Sequence, residues 1–367
     1  MTRAGGGQAK ELLAELRAYQ GRPVTFMEVC GTHTMAAARS GLRQLLPDRV
    51  RLISGPGCPV CVTPVGFVDH ALALARTDGI TITTFGDLVR VPGSSPIGSH
   101  SVPPTLALAR AQGCDIRVVY SPRDALALAR EQPARQIVFL GVGFETTAPA
   151  LAAAVLEAAD QELDNFSMLL AAKTIPGALE LLATAEDVAL DGLLCPGHVS
   201  VIVGPEAYEP VVERFGLPCA IAGFEPLEML RAMTELVRQI ESGQPVVANC
   251  YPGAVRPGGN PKARELVARV FEPRDTSWRG LGVIPASGLG VRRAYRRLDA
   301  AARFAVDLPE PVEPKGCRCG DVLRGVLDPA DCGLFGTSCT PETPRGACMV
   351  SSEGSCAARY QYRSDQP

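Results

Sequence analysis

The sequence predicts an α/β protein with two parallel-sheet α/β/α domains around a central cleft, followed by an irregular, cysteine-rich C-terminal domain. Three observations support this prediction. Short apolar, β-branched runs alternate with Ala- and Leu-rich segments from Pro23 onwards, as in βαβ units. The alternation continues as a second set of segments after residue 133. Beyond Cys250 it gives way to a stretch dominated by Gly, Pro and Cys.

The length of the chain agrees with several domains, because 367 residues exceed what one ordinary core accommodates. We expect an N-terminal helix in residues 1–22, a first α/β domain in 23–132, a second in 133–245, and a C-terminal domain in 246–367.

Each element is predicted from its own pattern of apolar residues. A short amphipathic helix is expected over Ala9–Tyr19, where leucines recur at helical spacing. The strand candidates are Val24–Val29, Val50–Ile53, Ile80–Thr84, Ile116–Tyr120, Ile137–Leu140, Ser167–Ala172, Gly192–Cys195 and Cys219–Ala222. The helix candidates are Asp69–Arg76, Pro104–Ala111, Pro122–Arg130, Ala148–Ala159, Gly177–Thr184, Pro205–Phe215, Pro226–Ser242 and Ala263–Phe271. Irregular or turn-rich segments are expected at Tyr251–Lys262, Ser277–Gly282 and Ser287–Gly290.

Composition excludes some classes of partner. Hydrophobic residues make up 46% of the chain, the net charge is −3, and no long basic run occurs, so nucleic acid and anionic membrane are poor partners. No stretch approaches the ~20 apolar residues of a membrane span. Met1–Lys10 lacks the apolar core of a signal peptide, and we therefore expect a cytoplasmic protein.

Two cysteine loops follow the first two strand candidates. Cys30 and His33 share one loop, and Cys58 and Cys61 form a Cys-x-x-Cys pair in the other. Loops at the carboxyl edge of a parallel sheet converge on one crevice. Thiols and an imidazole there can bind a soft metal, exchange disulfides, or do both. A structural half-site for zinc or plain core cysteines remain alternatives for the pair, and a buried, hydrogen-bonded side chain remains one for His33.

Two later turns carry weaker signals. Gly141–Pro149 follows a strand and opens a helix, as a phosphate-cradling turn does, with Thr146 or Thr147 as the N-cap. It lacks the Gly-Lys-Ser/Thr ending of a Walker A loop, and Glu145 within it is a candidate acid, base or hydrogen-bonding group. Cys195–Ser200 occupies the equivalent place after a later strand, and a buried His198 is as good an interpretation as a functional one.

The C-terminal cysteines are the strongest compositional signal. In a reducing compartment they favour a metal or an iron–sulfur cluster over structural disulfides. Four thiolates suffice for a [4Fe–4S] cluster or a zinc site, and the spacing alone selects no four. The cysteines are Cys317, Cys319, Cys332, Cys339, Cys348 and Cys356.

Taken together, the motifs resemble the HypD family of [NiFe]-hydrogenase maturation scaffolds. The resemblance extends from about Arg22 to Arg363. It rests on Met27–Thr34, Gly55–Pro64, Gly143–Thr147, Pro196–Ser200, Ala222–Pro226, Trp278–Gly282 and Met349–Cys356.

The resemblance implies a scaffold with redox activity, rather than a conventional turnover enzyme, that assembles the Fe(CN)2CO cofactor. Cys30 would be the thiolate on the iron, with His33 nearby, and Cys58 and Cys61 a redox-active dithiol. Glu353, within the Met349–Cys356 motif, is a further candidate catalytic residue.

The resemblance also implies cofactors and partners. A [4Fe–4S] cluster would relay electrons, and we expect its ligands to be Cys319, Cys332, Cys339 and Cys356, with Cys317 and Cys348 as candidates for an accessory disulfide. HypC would share the iron fragment, with this chain a monomer within the heterodimer, and HypE with HypF would supply cyanide.

A second class of function stays open on the residues alone. Cys58, Cys61 and the turn at Gly143 would also suit a free-standing thiol–disulfide oxidoreductase or a nucleotide-using enzyme. Bound iron and a brown colour would favour the scaffold, whereas a colourless protein with one zinc would exclude the cluster.

Overall fold

The computed structural model describes residues 3–94, 103–308 and 310–362. The described chain is α/β, as expected, and is built on parallel strands connected largely by helices. The strands are β1 (Val24–Glu28), β2 (Val50–Ser54), β3 (Ile80–Thr84), β4 (Ile116–Val118), β5 (Gln136–Gly143), β6 (Phe166–Ala172), β7 (Gly192–Pro196), β8 (Cys219–Ala222), β9 (Val247–Asn249), β10 (Phe271–Trp278) and β11 (Gly282–Val291).

The helices are α1 (Arg3–Ala18), α2 (Gly31–Ser40), α3 (Leu42–Leu45), α4 (Pro59–Val62), α5 (Val65–Ala75), α6 (Leu106–Ala111), α7 (Pro122–Glu131), α8 (Ala148–Asp160), α9 (Ile175–Ala183), α10 (Gly197–Val203), α11 (Glu209–Phe215), α12 (Pro226–Ser242), α13 (Pro261–Val270), α14 (Ala300–Arg303), α15 (Cys319–Leu323), α16 (Ala347–Val350) and α17 (Ser355–Gln361). Local sequence explains several of their ends. Ser121 and Asp124 form a capping box on α7, and Pro226 begins α12, where its missing N–H leaves no helical hydrogen bond unmade.

Two parallel sheets organise these elements. Sheet A has the strand order β2-β1-β7-β8-β9, and sheet B has the order β4-β3-β5-β6. Their central strands are almost entirely buried and read as continuous apolar runs, as expected where helices cover both faces.

Strand pairing interleaves the two expected α/β segments. In the described chain, residues 23–132 supply β1 and β2 to sheet A and β3 and β4 to sheet B. Residues 133–245 supply β5 and β6 to sheet B and β7 and β8 to sheet A. The division of the chain at residue 132 therefore does not coincide with the division between the sheets, because β1 pairs with β7 and β3 pairs with β5.

The core has a layered arrangement around the sheets. Leu16 of α1 and Met233 of α12 pack on sheet A with Phe26, while Leu126 of α7 and Val155 of α8 pack on sheet B with Phe139. Burial of each such side chain contributes about 1.5–3 kcal/mol. A further cluster of buried residues includes members of both sheets and reaches the C-terminal cysteines.

An antiparallel hairpin, β10–β11, follows the sheets and corrects part of the prediction. Ser287–Gly290 lies inside β11 rather than in a turn. The sequence does not predict the hairpin because most of β10 is exposed. The strand therefore lacks the apolar alternation of a half-buried strand. It docks on sheet B, where Lys173 Nζ donates to the Ser277 carbonyl (2.6 Å) and Thr174 N donates to the Ser287 carbonyl (2.8 Å).

The C-terminal region is cysteine-rich and irregular, as expected, with only short helices. Its helices α15 and α16 pack against α4, and α17 packs against α2. The region therefore covers the two cysteine loops of sheet A. In the ranges that the structure describes, no helix combines the length and the apolar character needed to cross a membrane.

Candidate functional site

Cys30 lies where β1 ends and α2 begins. It occupies the N-cap position of α2 in extended conformation, and the backbone N–H groups of Thr32 and His33 face its thiol. Thr34 N closes the first helical turn on the Cys30 carbonyl at 3.0 Å. The strand end and the helix start therefore fix the cysteine between two rigid elements.

The buried carboxyl group of Glu28 is hydrogen-bonded to the Cys30 loop. Glu28 Oε2 accepts a hydrogen bond from Cys30 N at 3.1 Å, and Oε1 accepts one from Thr34 Oγ1 at 2.6 Å. Arg43 Nη2 lies 3.7 Å from Oε1 and donates to Ser54 Oγ at 2.6 Å. Burial raises the pKa of Glu28 to about 7, against the opposing effect of Arg43.

The imidazole next to the Cys30 thiol is that of His198. Its Nε2 lies 3.2 Å from Cys30 Sγ, within hydrogen-bonding distance. His198 begins α10 directly after β7, and β7 is the neighbour of β1 on the side opposite β2. The chain reverses its direction of strand addition there, and such a switch point is where open α/β sheets bind ligands.

His33 lies at the same sheet edge but has a different partner. Its Nε2 is 2.9 Å from the Gly223 carbonyl, and its ring lies 4.9 Å from that of Phe224. The ring of His198 also stacks on Phe224, with the two ring centroids 4.4 Å apart. Phe224 therefore orients both imidazoles, while His198 alone of the two contacts the thiol.

The protonation states suit a metal ligand better than a nucleophile. Burial raises the pKa of the Cys30 thiol to about 12, although the His33 backbone N–H opposes this. Burial also lowers the pKa of His33 to about 4 and lowers that of His198. A neutral thiol is a poor nucleophile at neutral pH, but a metal ion that displaces its proton would find soft sulfur next to a neutral imidazole.

Glu353 reaches the site from the C-terminal region. Its Oε1 accepts a hydrogen bond from Thr32 Oγ1 at 2.9 Å, which joins the Met349–Cys356 segment to the start of α2. Burial raises the pKa of Glu353, although the hydrogen bond from Thr32 opposes this. The structure thus brings Glu353 next to the Cys30 loop although the two residues are far apart in sequence.

Cys58 and Cys61 are joined by a disulfide in the loop beside Cys30. Cys58 is the N-cap of α4, and its sulfur accepts a hydrogen bond from Cys61 N at 3.2 Å. Gly31 N donates to the Gly57 carbonyl at 2.9 Å. A Cβ on Gly57 would collide with the backbone of Cys30, so glycine allows the two loops to lie in direct contact.

The C-terminal cysteines surround one cavity. Its lining contains all four expected cluster ligands and also Cys317: the five cysteines are Cys317, Cys319, Cys332, Cys339 and Cys356. Cys348 does not line the cavity, but it donates its backbone N–H to Cys319 Sγ at 3.4 Å. Hydrogen bonds from the Cys317 and Cys348 thiols lower the pKa of Cys319, and the Arg279 guanidinium lowers it further.

A cavity with five cysteines in its wall is consistent with iron–sulfur binding, because thiolates are the usual ligands of such clusters.

The Gly-rich turn after β5 has a structural role. Thr147 stands at the N-cap of α8 but makes no side-chain capping bond. Glu145 is buried, and its Oε1 accepts a hydrogen bond from Ile175 N at 2.8 Å. A buried carboxylate in this turn disfavours a phosphate there.

Sequence reasoning missed two functional candidates. It left His198 as an undecided buried histidine, and it passed over Arg279. The signal for His198 was its position directly after a strand candidate, but that strand was assigned to the second α/β domain, apart from the Cys30 strand. Arg279 lies within the Trp278–Gly282 motif, but the motif does not reveal its contacts with Thr63 and Glu313, which are distant in sequence.

Comparison with known proteins identifies the family of the chain. The family model HypD, described as the hydrogenase formation hypA family, matches residues 7–363. Hydrogenase maturation factor HypD2 of Bradyrhizobium diazoefficiens is 46% identical over 363 residues, which cover 97% of this chain and 93% of that protein. HypD of Azotobacter vinelandii is 46% identical over 365 residues (97% and 94%), and HypD of Escherichia coli is 44% identical over 346 residues (94% and 91%). The chain therefore belongs to the HypD family of hydrogenase maturation factors.

Proposed function

We propose that this protein is a scaffold on which the Fe(CN)2CO fragment of [NiFe]-hydrogenases is assembled, with Cys30 as its ligand to the iron. The observation that supports this most directly is the Cys30–His198 pair, 3.2 Å apart at the switch point of sheet A and beside a disulfide loop. Iron is the cargo of the site rather than a resident cofactor.

The chemistry of the pair suits this cargo. An iron that carries cyanide and carbonyl is electron-rich and favours a soft thiolate. The high pKa of Cys30 means that the thiol gives up its proton only when the metal arrives. Neutral His198 would accept that proton or pass it on. Glu353, which is hydrogen-bonded to Thr32 at the start of α2, would hold the proton. His33 would position Phe224 and, through it, His198.

The remaining thiols would move electrons. Cys319, Cys332, Cys339 and Cys356 would hold a [4Fe–4S] cluster, with Cys317 and Cys348 as the accessory pair. The cluster, when bound, supplies single electrons. The Cys58–Cys61 disulfide would be the redox-active partner between the cluster region and Cys30, since α4 packs against α15 and α16.

The partners follow from the proposed cargo. HypC would share the iron fragment with Cys30, with this chain as the single copy in the heterodimer, and HypE with HypF would deliver cyanide. The expected cleft between the sheets would correspond to the crevice lined by Val60, Asp87 and Thr147, which opens beside the disulfide loop. We assign this assembly to the cytoplasm.

A thiol–disulfide oxidoreductase is the second candidate, and the Cys58–Cys61 disulfide favours it. Such an enzyme needs no iron and no role for Cys30. The two functions therefore differ in metal content and in the consequence of changing Cys30.

The deciding experiment is infrared spectroscopy with metal analysis of the protein co-purified anaerobically with HypC. The complex should be brown, absorb broadly near ~400 nm and contain iron. It should show cyanide and carbonyl stretching bands. Cys30→Ala should retain colour and cluster iron but lose those bands, because only the cargo ligand is removed.

A matched variant is Cys114→Ala, which removes a free cysteine on another part of the chain and should leave the bands intact. Full-strength bands in Cys30→Ala would reject the ligand role. A colourless protein with one zinc and no iron would reject the cluster and favour the oxidoreductase.

A further inference from the structure

Arg279 is a buried cation at the tip of the β10–β11 hairpin. Its side chain is 2% exposed. Its backbone N–H donates to the Val62 carbonyl at 2.8 Å, and its Nε donates to the Thr63 carbonyl at 3.1 Å. Both carbonyls lie at the end of α4, one and two residues beyond Cys61. The guanidinium therefore holds the disulfide loop from its C-terminal side.

The same hairpin tip touches the helix that begins at Cys319. Gly280 has a φ of +79° and lies so close to Gly320 that a Cβ at position 280 would collide with its backbone. A left-handed glycine facing a second glycine brings the Arg279 backbone directly onto the start of α15. Arg279 and Cys319 therefore each adjoin a glycine of this backbone contact.

The guanidinium is incompletely paired. Its Nη1 donates to Glu313, whose side chain is half exposed. Its Nη2 is buried without a hydrogen-bond partner in the described chain. A buried N–H group without an acceptor is costly, so a neutral side chain with fewer donors would serve a purely structural contact better. The hairpin tip that carries this charge contacts both the end of α4 and the start of α15, the two helices that carry Cys61 and Cys319.

We propose that Arg279 is a positioning residue for electron transfer: it ties the Cys58–Cys61 loop to the Cys319 end of the cysteine cavity and supplies a positive charge that stabilises the electrons and thiolates arising there. The proposal rests on the function inferred above. Arg279 would act on the Cys58–Cys61 disulfide and on the cysteine cavity, where negative charge appears on reduction.

The charge acts on a defined chemical step at the disulfide. When dithiothreitol reduces Cys58–Cys61, its thiolate attacks one sulfur, a mixed disulfide forms, and the other cysteine leaves as a thiolate. The second dithiothreitol thiol then displaces the remaining cysteine, so that two electrons pass to the protein and a cyclic disulfide forms. A cation near the leaving sulfur speeds the first displacement, because a better-stabilised thiolate leaves faster.

The test compares Arg279→Gln, Arg279→Lys and Glu313→Gln with the unchanged protein under anaerobic conditions. The rate of Cys58–Cys61 reduction by dithiothreitol is followed by alkylation and mass spectrometry of the peptide that contains both cysteines. Removing the charge should slow reduction about tenfold. Lysine should restore most of the rate, and Glu313→Gln should raise it by removing the counter-charge.

A second readout is the midpoint potential of the cluster, titrated by electron paramagnetic resonance. In Arg279→Gln it should fall by about 59 mV, which is tenfold for a one-electron couple. Arg292→Gln, which removes a partly exposed arginine just beyond the opposite end of the hairpin, is the matched control and should move neither quantity.

The outcomes separate this inference from the proposed function. Unchanged rate and potential in Arg279→Gln, with iron present, would overturn the role of Arg279 and leave the scaffold standing. A slowed rate that lysine does not restore would also overturn it, because it would show a geometric rather than an electrostatic effect. Absence of iron from the unchanged protein would overturn the scaffold, and the dithiothreitol rate would still decide the role of Arg279.

Discussion

Cys30 and Glu28, which are buried, and the half-buried His198 form a polar unit in which each side chain limits the freedom of the next. Glu28 binds the backbone of Cys30 and the hydroxyl of Thr34, while His198 reaches the thiol from a neighbouring strand end. Buried polar groups are stabilising only when they are satisfied in this way. The unit is therefore a preorganised site rather than a set of mobile side chains.

Glu145 is a single buried carboxyl group whose raised pKa affects the stability of the fold. Burial raises its pKa from 4.5 to about 7, although the Ile175 N–H opposes this. The folded protein thus holds this proton more tightly than the unfolded chain does. The resulting contribution to stability is fully present below about pH 4.5 and is lost as the pH rises through about 7.

Glu145→Gln should remove this pH dependence, because the amide mimics the protonated carboxyl and keeps the bond to Ile175 N. Between pH 5 and 8, approximately, the variant should gain up to about 3 kcal/mol in free energy of unfolding relative to the unchanged protein. Urea denaturation at several pH values measures the difference. The exposed Glu272→Gln is the control, and a constant difference across the pH range in Glu145→Gln would contradict the prediction.

At the scale of elements, the contact between the two cysteine loops depends on Gly57. A Cβ there would overlap the backbone of Cys30, which β1 and α2 hold in place. Gly57→Ala should therefore displace the disulfide loop and lower the free energy of unfolding by about 1–3 kcal/mol. Thermal and urea denaturation report the loss.

Gly253→Ala is the matched substitution, since a Cβ at position 253 meets no atom within 4 Å. It should leave stability within about 0.5 kcal/mol of the unchanged protein. Equal free energies of unfolding for the two variants would contradict the prediction. They would show that the close contact between the two loops does not contribute to stability.

Local pattern predicted the elements well where burial is regular. The limits of β3, β8 and α12 match the predicted ranges, because β3 is a run of β-branched residues, β8 is an unbroken apolar run and α12 has a clear helical face with a defined start. The β10–β11 hairpin and α2 escaped prediction. The hairpin exposes most of β10, and α2 begins in a Gly-Thr-His-Thr sequence that looks like a loop until sheet A and α17 bury it.

At the scale of the whole molecule, both sheets are built by the same order of strand addition. In each, the chain adds one strand on one side of the first and then returns to its other side, which creates a switch point at the carboxyl edge. In sheet A this edge carries Cys30 and His198. In sheet B it carries the crevice lined by Asp87 and Thr147.

Interleaved strands predict that the first α/β segment does not fold alone. A fragment of residues 1–132 would contain β1 without β7 and β3 without β5, leaving both sheets with unpaired edges. It should show no cooperative thermal unfolding and little dispersion in its amide NMR spectrum.

Co-expression with residues 133–367 should restore a soluble complex, because the strand pairs that cross the cut are the central ones. The uncut chain is the reference for both measurements. Cooperative unfolding of the isolated 1–132 fragment would contradict the prediction and would support an autonomous first domain.

The sequence by itself determined the kind and order of most strands and helices, the loops that carry Cys30 and the Cys58–Cys61 pair, and the group of C-terminal cysteines. These features are local, since periodicity reports which face of a segment is buried and turn residues report where it ends. Only the tertiary structure decided that β1 pairs with β7, that His198 rather than His33 contacts the Cys30 thiol, and that Arg279 joins the disulfide loop to Cys319. Each of these depends on hydrogen bonds and packing between segments far apart in the chain, which no local pattern specifies.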